Sequence, residues 1–158
     1  PTEEEEFVIV QRVTGTPAVV NAVTTTDELA ELQSETRRVY CDPSLIGYAV
    51  RLVAATREPA KAGLDDLTRF ITFGASPRAT ISMIEGARAL ALLRGRAYVW
   101  PEDIVDLVHD VLRHRLSLSY EALAEGVDAQ AVIDRILKQL GVPARPLEHR
   151  DEGRVANG

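Results

Sequence analysis

The 158-residue chain is poor in several kinds of residue, and each shortage excludes a class of function. Its single cysteine, Cys41, excludes an internal disulfide and a metal site built from several cysteines, and a small, partly buried residue is the favoured interpretation. No apolar run approaches the roughly 18 residues that a membrane span requires, and no signal-peptide pattern is present. We therefore expect a cytoplasmic protein with no membrane partner.

The chain also lacks an excess of positive charge. The formal net charge is −6 and the isoelectric point is near 5.1, so the chain lacks the basic footprint of a nucleic-acid-binding protein. We expect no nucleic-acid partner, and a DNA-binding helical domain is the least favoured function. His109 and His114 have no cysteine or carboxylate set at ligand spacing, which argues against a metal site.

The chain does contain enough apolar sequence for one folded core. Hydrophobic residues make up 46% of it, which suffices for one core or for one core with a small appended element. The chain begins with Pro1 and not with Met, from which we expect a piece of a longer protein.

Capping signals and apolar periodicity predict a mainly helical, all-α fold. Thr2 with Glu5, and Thr25 with Glu28, are spaced as capping boxes, and Asp42 before a proline is typical of a helix start. Apolar residues repeat at helical spacing after each start and again in the C-terminal half. The predicted helices run from about residue 3 to Arg12, over 26–39, from Pro43 onward, and over 77–94, 101–115 and 129–140.

Apolar stripes on two of these helices define much of the expected core. The stripe predicted for the helix that begins at Pro43 consists of Leu45, Ile46, Ala49, Val50 and Val53. The stripe predicted for the helix that begins at Pro101 consists of Ile104, Leu107, Val108, Val111 and Leu112. Two segments with extended character, 70–73 and 116–119, predict short strands.

The segment GASPRAT, residues 74–80, opens the longest predicted helix. We expect the Ser76 hydroxyl to cap this helix, and Pro77 suits its first position because an N–H there has no helical partner. Arg78 then lies in the first turn, where the positive end of the macrodipole disfavours a cation. A bound anion offsets that placement, since a helix N-terminus with a guanidinium suits phosphate oxygens. The alternative is an arginine that pairs with a nearby carboxylate or is simply solvated.

Three segments in order carry a family resemblance: GASPRAT at 74–80, ARALALLRGRAYVWPEDI at 87–104 and VLRHRLSLSYEALAEGV at 111–127. Together they resemble the C-terminal part of a MoxR-type AAA+ ATPase, and the resemblance extends from the acidic start through about Pro146. Trp100 departs from the small polar cap expected at that helix start, which is therefore predicted to be less well capped.

The resemblance implies an AAA+ helical lid bundle and a division of the chain into three parts. Residues 1–25 are expected to be a remnant of the AAA+ core with its linker. Residues 26–141 are expected to form the lid domain, and residues 142–158 a mobile tail.

The parts that hydrolyse ATP are not expected in this chain. The family's phosphate-binding loop needs a Gly-Lys pair, yet neither lysine, Lys61 nor Lys138, follows a glycine. No apolar run ends in the paired carboxylates of a magnesium site either. We therefore expect no catalytic residue and no ATP hydrolysis by the chain alone, whereas the resemblance implies ATP hydrolysis with ATP and Mg²⁺ in the full-length protein.

Arg78 matches the arginine that the family calls sensor 2, which reads the γ-phosphate of ATP. The resemblance therefore implies nucleotide binding through Arg78, with Ser76, Pro77 and Ala79 supporting it at the helix N-terminus. Whether Arg78 reaches the nucleotide of its own subunit or of a neighbour stays open, because relatives carry an extra helix before the lid. The helix predicted at 26–39 is a candidate for that element.

The partners that the resemblance implies are the AAA+ core of the same chain, neighbouring subunits of a hexameric ring, and proteins with a von Willebrand factor A domain. The implied function is chaperone-like protein remodelling driven by ATP. The alternative, from a different class, is a nucleotide-independent helical module that binds a partner protein through an exposed apolar face. Arg78 separates the two, since only the first function needs it.

Overall fold

The chain is mainly helical, which confirms the predicted fold class. The computed structural model describes residues 1–16 and 20–145. None of the helices in these ranges combines the length and the apolar composition needed to cross a bilayer. The α-helices of the described residues are α1 (Glu3–Thr14), α2 (Thr26–Arg38), α3 (Pro43–Arg57), α4 (Pro77–Leu93), α5 (Pro101–Leu112), α6 (Tyr120–Ala124) and α7 (Ala129–Leu140). The strands are β1 (Ile71–Phe73) and β2 (Ser117–Leu118), and 3₁₀ turns cover Pro59–Ala62, Asp65–Arg69 and Arg113–Arg115.

The chain divides into two compact units, residues 1–32 and 33–158. The first contains α1, which buries none of its side chains, and Phe7 and Val13 on this helix are 68% and 77% exposed. The division of the chain into core remnant, lid and tail stays a prediction. Most of the predicted tail, from residue 146 onward, lies outside the described residues.

The second unit contains the hydrophobic core, which is built by α3, α4, α5 and α7. The largest fully buried side chains include Leu52, Met83, Ile104 and Ile133, one from each of these helices. On α4 the other buried side chains are all alanines, which permits the close packing of α4 against α5 and α3. The stripe predicted for α5 is confirmed except at Leu107, which is only partly buried.

The stripe predicted for α3 is partly wrong. Ile46 and Val50 are exposed, whereas Tyr48 and Leu52 are buried in their place. The buried face follows the i, i+3, i+4, i+7 pattern from Leu45, and Ile46 and Val50 lie on the edge of the helix next to this face.

The predicted capping boxes are both present. The Thr2 hydroxyl accepts the Glu5 N–H at 3.3 Å, and the Glu5 carboxylate accepts the Thr2 N–H at 2.8 Å. Thr25 and Glu28 exchange the corresponding bonds at 3.2 and 2.7 Å. The Asp42 carboxylate caps α3 as predicted. Each of these starts is local in sequence, which is why the residue types alone reveal it.

The two predicted short strands pair with each other. β1 and β2 run antiparallel, with Ile71 opposite Leu118, and so join the segment before α4 to the segment after α5. Ser119 extends this connection, because its N–H donates to the Phe70 carbonyl and its hydroxyl donates to the Arg69 carbonyl. The short helix α6, which begins after Ser119, was not predicted. α5 also ends at Leu112, so the following basic residues form a 3₁₀ turn and not its last turn.

Candidate functional site

The structure places the four predicted site residues together at the N-terminus of α4. Ser76 is at the N-cap position with extended backbone, and Pro77 is the first helical residue. The prediction that the Ser76 hydroxyl caps the helix is wrong, because in the described part of the chain this side chain makes no capping hydrogen bond. The Ser76 carbonyl instead accepts the Ala79 N–H at 2.9 Å, so the first turn is closed by the backbone.

Arg78 and Ala79 lie in opposite environments. Ala79 is fully buried, so it supports the helix start by packing and its side chain is not available to a ligand. The Arg78 side chain is exposed, and among residues 1–16 and 20–145 no ion pair or side-chain hydrogen bond engages its guanidinium. The carboxylate-paired alternative is therefore not realised within these residues. The cation is open to solvent or to an anion supplied from elsewhere.

The loop before α4 is fastened to the C-terminal end of α3. The Thr56 hydroxyl accepts the Ala75 N–H at 2.9 Å and donates to the Val53 carbonyl at 2.6 Å. The Arg57 guanidinium donates to the Ala75 carbonyl at 2.7 Å. Both backbone groups of Ala75 are thus held by side chains of α3. Since Ala75 is buried, neither bond is easily replaced by water.

Gly74 allows this close approach. A Cβ atom built on Gly74 lies 2.3 Å from the Thr56 carbonyl oxygen and 2.6 Å from the Arg57 nitrogen, both backbone atoms that cannot rotate away. Only glycine therefore fits between the loop and the end of α3. Packing against the end of α3 therefore requires glycine as the first residue of GASPRAT.

The chain is similar to known proteins in sequence and in structure. The family model described as AAA lid domain matches residues 66–136, a range that includes Gly74 and Arg78. Chaperone MoxR1 of Mycobacterium tuberculosis is 42% identical over 143 residues, covering 90% of this chain and 38% of that protein. Protein MoxR of Paracoccus denitrificans is 38% identical over 111 residues, covering 66% of this chain and 32% of that protein. A crystal structure of a candidate ATPase from Cytophaga hutchinsonii has a TM-score of 0.77 at 35% identity, covering 90% of this chain and 44% of that one.

The chain belongs to the MoxR-type AAA+ ATPases. The recognition of a C-terminal, lid-containing portion of such an ATPase from three sequence segments is thereby confirmed. The chain spans less than half the length of the relatives that it matches, 38% of MoxR1 and 44% of the Cytophaga chain. Arg78 and the loop that holds it lie inside the MoxR-type lid region.

A second charged cluster of this MoxR-type lid lies where α4 is joined to α5. Asp103 is fully buried, and its carboxylate accepts hydrogen bonds from Arg94 at 2.7 Å and from Arg96 at 2.6 and 2.8 Å. It also accepts the Trp100 N–H at 2.8 Å. One carboxylate therefore pairs with two arginines and holds the start of α5. As predicted, the Trp100 side chain does not cap α5. The helix start is instead stabilised by the Asp103 carboxylate, which accepts the backbone N–H of Trp100.

Trp100 connects this cluster to Arg145 near the C-terminal end of the described residues. The Arg96 guanidinium lies 4.2 Å from the centre of the indole ring and that of Arg145 lies 3.8 Å from it, both within cation–π range. Arg145 also donates to the Glu102 carboxylate at 2.7 and 3.0 Å. The indole is thus flanked by two cations whose counter-charges belong to the same helix start.

The environment of Asp103 determines its ionisation. Burial raises the pKa of its carboxyl group, but the hydrogen bonds from Arg96, Trp100 and Arg94, together with the charge of Arg96, outweigh burial and leave the pKa below its ordinary value of 3.8. A carboxyl group with a lowered folded-state pKa stabilises the fold above its unfolded-state pKa. It loses that contribution as the pH falls through the folded-state value.

We therefore predict that acid destabilises the fold and that protonation of Asp103 accounts for part of the loss. The free energy of unfolding of the wild type should fall as the pH is lowered below about 4, and the Asp103→Asn variant should show a smaller fall over the same pH range. Exposed carboxylates with lowered pKa values, such as Asp66 and Glu58, are present in both proteins and cancel in the difference. Urea denaturation at pH 7 and at pH 3 measures the effect. Parallel pH profiles for the two proteins would contradict it.

Sequence reasoning missed the partners in both clusters. The segment LRGR contributed to the family resemblance, but its two arginines, Arg94 and Arg96, were not connected with Asp103. The signal was present, because two arginines beside a glycine precede an acidic residue at a helix start. Thr56 and Arg57 gave no such signal, since their partner Ala75 contributes only backbone atoms.

In the described ranges of this lid, no three histidine, cysteine, aspartate or glutamate side chains are grouped to hold a metal ion. Arg78 at the first turn of α4 can bind a phosphate oxygen but offers no ligand for Mg²⁺. The exposed guanidinium of Arg78 gives this site an anion-binding group.

Proposed function

We propose that Arg78 is the sensor 2 arginine of this MoxR-type lid. In the full-length protein its guanidinium binds the γ-phosphate of ATP, and Ser76, Pro77 and Ala79 form the helix start that presents it. Hydrolysis weakens this contact, so the orientation of the lid follows the nucleotide state. A charge-assisted bond contributes roughly 1.5–3 kcal/mol, enough to shift a two-state equilibrium by about one to two decades.

One observation carries this proposal. Within the described residues Arg78 is an exposed cation with no protein partner, placed where the helix itself disfavours positive charge. The loop before it is held by Thr56 and Arg57 and cannot accommodate a side chain at Gly74. An unpaired cation on a helix start whose preceding loop is held in place supports a ligand-binding role more than a stabilising one.

The full-length protein contains more than this lid, because the chain spans only 38% of MoxR1 and 44% of the Cytophaga chain. Its relatives carry names that include a chaperone, MoxR1, and a candidate ATPase. We propose that the full-length protein hydrolyses ATP with Mg²⁺ held by its AAA+ core, forms a hexameric ring in the cytoplasm, and remodels client proteins together with von Willebrand factor A domain partners. Residues 1–25 are proposed to belong with the core, and residues 26–141 to form the lid. The apolar, unburied face of α1 supports the first assignment.

Replacing Arg78 tests the central proposal. In the full-length protein we expect Arg78→Ala to lower kcat/KM for ATP by about tenfold or more, because a charge-assisted contact to the reacting phosphoryl group is lost. The melting temperature should stay unchanged or rise slightly, since an exposed cation leaves a helix N-terminus. Steady-state ATP turnover and thermal unfolding measure the two effects.

The matched control is Arg37→Ala, which removes another exposed arginine from the C-terminal turn of α2. This variant should leave ATP turnover unchanged. If Arg78→Ala also leaves both ATP turnover and ring assembly at the wild-type level, the nucleotide-sensing function is wrong.

A second candidate function is supported by one surface of the lid. Leu118, Tyr120, Leu123 and Val127 line a groove of about 430 Å³, and Tyr120 and Leu123 are 85% and 74% exposed. An apolar surface of this kind favours binding of a partner protein without nucleotide. This function becomes the better one if Arg78→Ala leaves ATP turnover unchanged.

A further inference from the structure

The most tightly determined part of the candidate site is not Arg78 but the loop that precedes it. Thr56 is fully buried, and its single hydroxyl is used twice, as a donor to Val53 and as an acceptor for the Ala75 N–H. Arg57, the next residue, holds the Ala75 carbonyl. Two adjacent side chains at the end of α3 therefore fix both polar groups of one buried peptide segment.

We propose that Thr56 and Arg57 are positioning residues for Arg78, through which they set the enzyme's discrimination between ATP and ADP. This inference rests on the proposed sensor 2 function. Neither residue needs to touch the nucleotide. Their role is to hold Ala75, and with it the start of α4, where the Arg78 guanidinium meets the γ-phosphate.

The short connection from Ala75 to Arg78 carries the effect. Ser76 has extended backbone, Pro77 has a φ angle fixed by its ring, and Arg78 is already helical. Few torsions in this connection are free to absorb a shift, so a displacement of Ala75 moves the origin of the Arg78 side chain. Small displacements matter because charge-assisted hydrogen bonds weaken steeply with distance and angle.

The test uses the full-length protein and two probes, ADP and a non-hydrolysable ATP analogue that retains the γ-phosphate. Thr56→Val keeps the shape of the side chain but removes both hydrogen bonds. We expect it to weaken binding of the ATP analogue by about tenfold while ADP binding changes by less than about twofold, since ADP has no γ-phosphate. Thr56→Ser keeps the hydroxyl and should retain most of the wild-type ratio of the two affinities.

A double-mutant cycle distinguishes positioning from general damage. If Thr56 acts through Arg78, the Thr56→Val/Arg78→Ala double variant should bind the ATP analogue no more weakly than Arg78→Ala alone. Val108→Ala is the matched control, because it destabilises the same core in α5 and leaves the Ala75 bonds intact. It should shift the melting temperature without changing the ratio of the two affinities.

Arg57→Ala keeps the inference testable if Thr56→Val does not fold. Arg57 is exposed at the end of α3, so its loss should leave the fold intact and weaken only the ATP analogue, by about threefold.

The two proposals fail in different ways. If Arg78→Ala leaves the affinity ratio unchanged, the sensor function fails, and the positioning role fails with it. If Arg78→Ala changes the affinity ratio while the Thr56 and Arg57 variants leave it unchanged, only the positioning role fails. The positioning role also fails if the effect of Thr56→Val is the same with and without Arg78. An equal change of the ratio in Val108→Ala would overturn it as well.

Discussion

Gly74→Ala should destabilise the chain by about 3 kcal/mol and displace the loop before α4. The added Cβ would lie 2.3 Å from the Thr56 carbonyl oxygen, and the nearby atoms are all backbone atoms of α3. The loop must therefore move away from α3, which stretches or breaks the two hydrogen bonds that hold Ala75. Urea denaturation measures the loss of stability, and amide hydrogen exchange at Ala75 reports the broken bond.

Gly47→Ala, within α3, is the matched control. Its Cβ would meet only the end of a flexible arginine side chain at 3.5 Å, an ordinary contact. Because alanine is a better helix former than glycine, this change should stabilise the chain by up to about 1 kcal/mol. The two Gly→Ala changes should therefore alter the free energy of unfolding in opposite directions. A decrease of less than about 0.5 kcal/mol for Gly74→Ala would show that the loop accommodates a side chain.

Asp103→Ala should be comparably damaging, with an expected loss of about 3 kcal/mol. The carboxylate is fully buried, and its removal leaves Arg96, whose side chain is only 13% exposed, without its counter-charge. Arg94 loses one of two carboxylates, and the Trp100 N–H loses its acceptor. A buried charge without a partner costs more than the ion pair itself contributes, which is why the expected effect is large.

Asp106→Ala is the matched control for this cluster. Asp106 pairs with Arg94 at 2.6 Å, but its side chain is 48% exposed, so water replaces the lost contact. A loss of at most about 1 kcal/mol is expected. Chemical denaturation of both variants gives the comparison, and equal losses would mean that burial at Asp103 does not amplify the effect of losing the carboxylate.

The sequence predicts well those features that depend on neighbouring residues. The helix starts at Thr2, Thr25 and Asp42 were all correctly assigned, because a cap and its partner lie within a few residues of each other. The amphipathic face of α5 was predicted for the same reason, except at Leu107. Family resemblance added the lid architecture, which periodicity alone does not provide.

Features that depend on long-range contacts could not be predicted in this way. The hydroxyl of Ser76 suggested a cap by residue type, yet the backbone closes that turn. Nothing in the residues around Thr56 indicates that its hydroxyl bonds Ala75, which is 19 residues away in sequence. Likewise, Gly74 can be recognised as a packing requirement only once its contact with the end of α3 is known. Tyr48 and Leu52 were both omitted from the predicted α3 stripe, although the structure buries both side chains fully.

The placement of α4 between two anchored ends has a mechanical consequence. One end follows the loop held by Thr56 and carries Arg78; the other leads into Arg94, which is tied to Asp103 on α5. At about 1.5 Å per residue, its 17 residues form a rigid element of about 25 Å that packs closely against α5. A displacement of Arg78 would therefore be transmitted along α4 to Arg94. Because Arg94 pairs with Asp103, α5 would be expected to move together with α4.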